Sequence, residues 1–254
     1  KTRKEISKDN VILSENSFVY DGTEKKPKVT VSCNNTKLIP ERDYIITYTD
    51  NINAGTAVIE IKGTGDYTGT VIKNFRIMKA QTVLKVSNKS VTVDGQEIKI
   101  ADYIVTDGTV RYRSSNPRII KISGDKFVAQ CPGKATITIS VEKSKNYNSV
   151  PDKKITIMVY PPNVKNIILQ SDEKGRLTIS WASIKSIDGY QIKYSQSPDM
   201  KNAKVVSVKK NRQTLALNKL MSKKYYYVSA RTYKNVEGKN YYSDWGRIKK
   251  IRIK

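Results

Sequence analysis

Apolar residues recur at every second position through short runs along this chain, and nowhere with the three-to-four spacing of an amphipathic helix. The pattern predicts an all-β protein of short, half-buried strands. In the first third, residues 28–33, 43–49, 56–62 and 70–78 read as strands, with Val29 and Val31 facing one way, then Ile45 and Thr47, then Val58 and Ile61. The joints are turn chemistry: Tyr20-Asp21-Gly22, Asn34-Asn35, Asn53-Ala54-Gly55 and Gly63-Thr64-Gly65. Glycine supplies positive φ there, while Asn and Asp bond their own backbone at the bend. Such a glycine-rich meander closes either as a sandwich or as a smaller grasp-like sheet. Asp50, Asn51 and Asn53 bear a superficial likeness to a Ca²⁺ loop, but no bidentate Glu follows at the required distance, so a plain turn is expected.

Proline and glycine divide the rest. Pro132-Gly133 forces a bend before the alternating strand 135–141, and Pro151 precedes a closing strand at 154–159. Pro161-Pro162 makes a stiff, extended joint. The expected division is 1–79, 80–160 and 161–254, each piece long enough to bury its own core without staples. In the last piece Leu177, Ile179 and Trp181 share a face, as do Tyr190, Ile192 and Tyr194. Val206 with Val208, Leu215 with Leu217, the trio Tyr226, Val228 and Ala230, and finally Ile251 with Ile253 continue the set. Two sheets with inward alternating residues are the sandwich plan. Three tandem β-sandwich modules in an elongated arrangement are therefore the expected architecture, with Trp181 central and Leu220 and Tyr226 forming a corner.

Each module also carries a resemblance. Phe18-Val-Tyr-Asp-Gly22, Asp43-Tyr44, Asn51-Ile-Asn-Ala-Gly-Thr56 and Gly65-Asp-Tyr-Thr-Gly69 resemble the YDG/MBG-type repeats of Gram-positive cell-surface proteins over residues 10–79. Tyr112-Arg-Ser-Ser-Asn-Pro117, Ile119-Ile-Lys-Ile122 and Cys131-Pro-Gly-Lys-Ala-Thr-Ile-Thr-Ile139 fall in the order of a bacterial Ig-like group 2 (BIG2) domain, with Tyr112 where that family commonly shows Trp. Trp181, Tyr190-Gln-Ile-Lys-Tyr194, the Leu220…Tyr226 spacing and residues 241–246 resemble a fibronectin type III domain over 162–254. Together these imply the surface region of a secreted Gram-positive protein, a display and adhesion stalk rather than a catalyst.

Composition narrows the chemistry. The 254 residues contain no histidine, which removes Ser-His-Asp and Cys-His catalysis and the usual zinc sites. No phosphate-binding glycine loop is present. The acids fall mostly in turns (Asp21, Asp66, Asp94, Asp107, Asp188), which favours solvated carboxylates over a hydrolytic pair. Lys–Asn isopeptide bonds occur in sandwich domains of Gram-positive proteins, but nothing in the sequence selects a trio. Cys33 and Cys131 lie in different modules and are expected to be unpaired, small apolar residues. Apolar runs are too short for a membrane span, and a chain beginning at Lys1 without Met reads as a piece of a longer protein.

Charge is the unusual feature. The net +24 is uneven: residues 161–254 hold 21 basic and 6 acidic side chains, against 13 and 10 in residues 1–80. With Tyr190, Ile192, Tyr194, Val228, Ala230, Ile251 and Ile253 inward, alternation sends Lys193, Arg231, Lys250, Arg252 and Lys254 to one outward face, with Ser229 and Tyr233 beside Arg231. Lys209, Lys210 and Arg212 add a basic loop nearby. Such a face either keeps the module soluble and monomeric or docks an anionic polymer such as teichoic acid, an acidic glycan or nucleic acid. Tyr233, Tyr241 and Tyr242 are the candidates for a stacking platform. The expected role is a non-catalytic adhesion and spacer region, extracellular or wall-associated, with no cofactor. Its expected partners are other domains of the parent protein and a host or wall polysaccharide or other anionic polymer. The alternative is an accessory carbohydrate- or anionic-polymer-binding region of an extracellular enzyme.

Overall fold

A computed structural model describes residues 2–254. Among them the regular structure is β-strand, apart from a single 3₁₀ turn at Lys8–Asn10, and no helix is long and apolar enough to cross a membrane. The strands gather into two compact units. One takes the chain up to Lys85 together with Tyr103–Arg111 and Ser140–Asp152; the other takes Val86–Asp102, Tyr112–Ile139 and Lys153–Lys254.

In the first unit a four-stranded sheet runs in the order Ser17–Val19, Thr70–Met78, Gly55–Gly63, Tyr44–Thr49, its first pair parallel and the others antiparallel. Val11–Leu13, Val29–Cys33 and Thr36–Lys37 make a second sheet. Residues of both sheets, among them Val11, Val31, Ile59, Ile61 and Phe75, share one core, so this stretch closes as a sandwich. Two expected facings are corrected. Tyr44, Ile46 and Tyr48 point inward while Ile45 and Thr47 point out, and Ala57, Ile59 and Ile61 are inward while Val58 is not. Val58 and Ile61 stand three apart, and a period of two puts such residues on opposite faces. The tyrosines are buried because their hydroxyls find carbonyls: Tyr48 Oη donates to Pro27 C=O at 2.8 Å and Tyr44 Oη to Val29 C=O at 3.4 Å.

The same unit holds a polar joint that alternation cannot show. Buried Asn146 donates through Nδ2 to Asn53 Oδ1 at 3.1 Å and accepts the Ala54 N–H on Oδ1 at 2.9 Å. Beside it Ala80–Gln81 pairs in parallel with Tyr147–Asn148, and the Tyr20 and Tyr147 rings meet edge to face at 5.6 Å. Asn51 donates to Lys25 C=O at 3.1 Å, so residues 50–53 form a hydrogen-bonded turn.

Lys89–Thr92, Lys153–Tyr160, Gly133–Val141 and Val110–Ser114 form a sheet, the first pair parallel, and the second unit also holds an Ile120–Ser123/Lys126–Ala129 hairpin. Ile120, Ile137 and Ile157 are fully buried, and Tyr112 meets Phe127 edge to face at 4.8 Å. Further along, Ile168–Gln170, Leu177–Ser180 and Thr214–Leu217 make a three-stranded sheet. A larger sheet is ordered Lys204–Lys209, Gly189–Ser195, Tyr225–Val236, and the far edge of that last strand takes Lys239–Tyr242 and then Lys249–Arg252. Leu177, Ile179, Trp181, Tyr190, Ile192, Val228, Ala230 and Ile253 fill the space between the two sheets. The inward set read from the sequence for this module is the observed core. Cys33 is buried and Cys131 half-buried, and both thiols are unpaired.

Candidate binding face of the last module

The larger sheet positions the candidate residues. Cross-strand partners share a face, and the register sets Lys193 opposite Ser229, Gln191 opposite Arg231, Lys250 opposite Tyr227 and Arg252 opposite Tyr225. Lys193, Arg231, Lys250 and Arg252 therefore stand on one outward face, joined at its edge by Lys209 opposite Gly189. Lys210 and Arg212 are exposed in the turn that follows, and the turn is fixed by Lys210 N–H donating to Asp188 C=O at 3.2 Å and Arg212 N–H to Lys209 C=O at 3.0 Å. Lys254 lies past the last strand, its N–H donating to Ser171 Oγ at 3.0 Å, so it belongs to the end of the module rather than to the sheet. None of the strands of this sheet contains Asp or Glu.

The face is a stack of cations and rings. Arg231 lies with its guanidinium 4.0 Å from the Tyr242 ring centre and 4.4 Å from that of Trp245, while Lys193 Nζ is 4.4 Å from the same Trp245 ring. Arg231 Nε and Nη2 both donate to Gln191 Oε1, at 2.9 and 2.8 Å. Burial pushes its pKa down, but a guanidinium stays charged in any folded protein. Lys250 Nζ sits 4.9 Å from the Tyr225 ring and Lys239 Nζ 5.4 Å from that of Tyr241. Arg252 turns its Nε to Lys223 C=O at 3.2 Å. Seating cations on ring quadrupoles offsets the repulsion that side-by-side charges on strands suffer. Arg231 and Lys193 thus act as internal parts of the stack, and Lys209, Lys210, Arg212 and Lys250 are the exposed charges.

Trp245 is the residue that alternation did not find. Ser243 N–H donates to Thr232 C=O at 3.1 Å, Thr232 N–H returns to Ser243 Oγ at 3.0 Å, and Gly246 N–H reaches Ala230 C=O at 2.8 Å. This irregular stretch, between the two strands on the far edge, lays Trp245 across the outward face, and Ser229 is fully buried beneath it with Oγ donating to Gly246 C=O at 2.6 Å. The one sequence signal was a tryptophan outside any alternating run. Tyr233 covers Gly189: a Cβ there would stand 2.7 Å from the ring and 2.5 Å from Val208 C=O. Only glycine fits that approach.

The corner is present as expected. Tyr226 Oη accepts the Met221 N–H at 3.2 Å and Gln196 Nε2 at 2.8 Å. A backbone contact a few residues upstream is what such a tyrosine makes in related sandwiches. Among the described residues no three Cys, Asp or Glu side chains approach closely enough to hold a metal.

No family model matches the sequence, and no curated protein matches it. Among solved structures the chain is similar to the fn3 domain of human contactin 1 (TM-score 0.33, 14% identity, 37% of this chain and 77% of that one). It is also similar to the FN1–FN3 domains of chicken CNTN1 (TM-score 0.34, 15% identity, 80% and 79%) and to the fn3 domain of human collagen alpha-1(XX) chain (TM-score 0.32, 19% identity, 37% and 86%). By their own pairings the strands from Ile168 to Arg252 form a two-sheet β-sandwich.

Proposed function

We propose that this chain is a non-catalytic adhesion and spacer region of a secreted protein of Gram-positive bacterial type, composed of YDG/MBG-type, Ig-like (BIG2) and fibronectin type III modules in series. It displays partner domains at the cell surface or wall and holds an anionic polymer through its last module. One observation carries the reading: a sheet face without a single carboxylate in its strands, on which cations are fixed over aromatic rings. Charges held in place in this way attract polyanions through counterion release, with strong salt dependence and weak sequence or linkage specificity. The second reading, an accessory binding region of an extracellular enzyme, uses the same face and differs only in what the parent protein attaches to it.

The test is elution from immobilised heparin and immobilised teichoic acid. A Lys209/Lys210/Lys250/Arg252→Ala variant should elute at clearly lower salt than wild type. A Lys165/Lys174/Lys185/Lys224→Ala variant loses the same charge from exposed positions elsewhere in the module and should elute close to wild type. Equal elution of the two variants would reduce the face to general charge and remove the reading.

A further inference from the structure

Away from the sheet face, the last module has a cleft of about 580 Å³ at one end, between the turn around Lys201 and the turn around Lys219. That volume lies in the range of small-molecule sites. Lys201, Lys204 and Lys219 line it with no carboxylate among the lining residues, and none of the three ammonium groups is in an ion pair with any described residue. The acid of the same turn is committed locally: Asp199 Oδ1 accepts Ser197 Oγ at 2.6 Å and the Lys201 N–H at 2.9 Å. The lip is held by left-handed backbone at Asn202 (φ 53°) and Lys219 (φ 59°). A lysine in that region is uncommon, and such conformations persist where the surroundings fix them.

We propose that this cleft binds an acidic saccharide. Ammonium groups donate only, so by themselves they would suit any anion. The exposed amides of Asn202 and Asn218, without a hydrogen-bond partner among the described residues, both donate and accept. Gln196 gives its Nε2 to Tyr226 Oη at 2.8 Å, which leaves its carbonyl oxygen open. A ligand that brings hydroxyl donors as well as negative charge meets those acceptors, whereas bare sulfate or a DNA backbone brings no such donor. Tyr194 and Leu220 provide an apolar floor for the carbon face of a sugar ring. The sheet-face variant and this cleft share no residue, so the two sites succeed or fail separately.

The experiment is an NMR titration of the full chain, following amide shifts, with a sulfated uronate disaccharide as probe. Neutral maltose and inorganic sulfate serve as separate arms. The expected result is shifts confined to residues 194–204 and 217–226, about tenfold weaker binding in a Lys201/Lys204/Lys219→Gln variant, and unchanged binding in Lys209/Lys210/Lys250/Arg252→Ala. An Asn202/Asn218→Ala variant should weaken the disaccharide and leave inorganic sulfate unaffected. Maltose or sulfate binding as tightly as the disaccharide, shifts centred on the sheet face, or unchanged binding in the lysine variant would each overturn the proposal.

Discussion

Arg231 gives the sharpest quantitative expectation, because its surroundings set the magnitude. Replacement by Ala removes two guanidinium–ring contacts, at 4.0 and 4.4 Å, and a two-pronged donation to Gln191. At a half-exposed position each ring contact contributes about 0.5–1 kcal/mol. A hydrogen bond from a charged donor contributes about 1.5–3 kcal/mol, and both prongs here share one acceptor, so only one such term is counted. Allowing for non-additivity in a connected stack, the expected loss is about 2–3 kcal/mol. The assay is urea unfolding followed by tryptophan emission, which reports the last module alone because both tryptophans, Trp181 and Trp245, lie in it. With a urea slope of about 1–3 kcal/mol/M for a small domain, the midpoint should fall by roughly 0.7–3 M. Arg231→Lys keeps the charge but loses the planar fork, and should recover less than half of the difference. An unfolding free energy for Arg231→Ala within about 0.5 kcal/mol of wild type would refute the stacked-face account, as would a Lys variant indistinguishable from wild type.

Tyr226→Phe strips the acceptor from Met221 N–H and Gln196 Nε2 and should cost about 1–2 kcal/mol in the same assay, with Gln196→Ala costing less because that side chain is exposed. Gly189→Ala should displace the Tyr233 ring and destabilise the module by about 1–3 kcal/mol, seen as a lowered midpoint and shifted Tyr233 ring resonances. Asn146→Ala leaves the Ala54 N–H and Asn53 amide unpartnered and should loosen the first unit by about 1–3 kcal/mol, read as faster amide exchange around residues 53–54 and 80–81. The Arg42 guanidinium, at 2.9 and 3.0 Å, and then the Ile39 N–H hold the Asp43 carboxyl below its ordinary value. A folded pKa below the unfolded one means stability that is full at neutral pH and falls as pH drops through about 4 and below. Asp43→Asn should flatten that acid limb in a pH series of unfolding midpoints.

What the sequence made legible follows from the period of two. In the last module long runs such as Tyr190–Ile192–Tyr194 and Tyr226–Val228–Ala230 have one strongly apolar face, and their facing and the shared outward face of Lys193, Arg231, Lys250 and Arg252 could be read directly. In the first module the same rule misread Ile45, because tyrosine can be buried as readily as isoleucine once its hydroxyl reaches a carbonyl, and Val58, because it stands three from Ile61 and so on the other face. Trp245 and Asn146 escaped for another reason. Both act from irregular segments, where no periodicity reports direction, and both are fixed by partners distant in sequence, Arg231 and Asn53. The lysines of the end cleft come from segments separated in the chain and attached to different sheets, and only the folded sandwich brings Lys201 near Lys219.

The spacer reading stands or falls on cores that close separately. Core residues of the first lie between Ile6 and Ile77, and those of the last between Ile167 and Ile253. Stretching single chains from end to end measures this directly. At least two discrete unfolding events are expected, one of them releasing roughly 300 Å of chain, the extended length of residues 161–254 less their folded span. Arg231→Ala should lower the force of that event and leave the others unchanged. A single event that frees the whole chain at once would contradict the account.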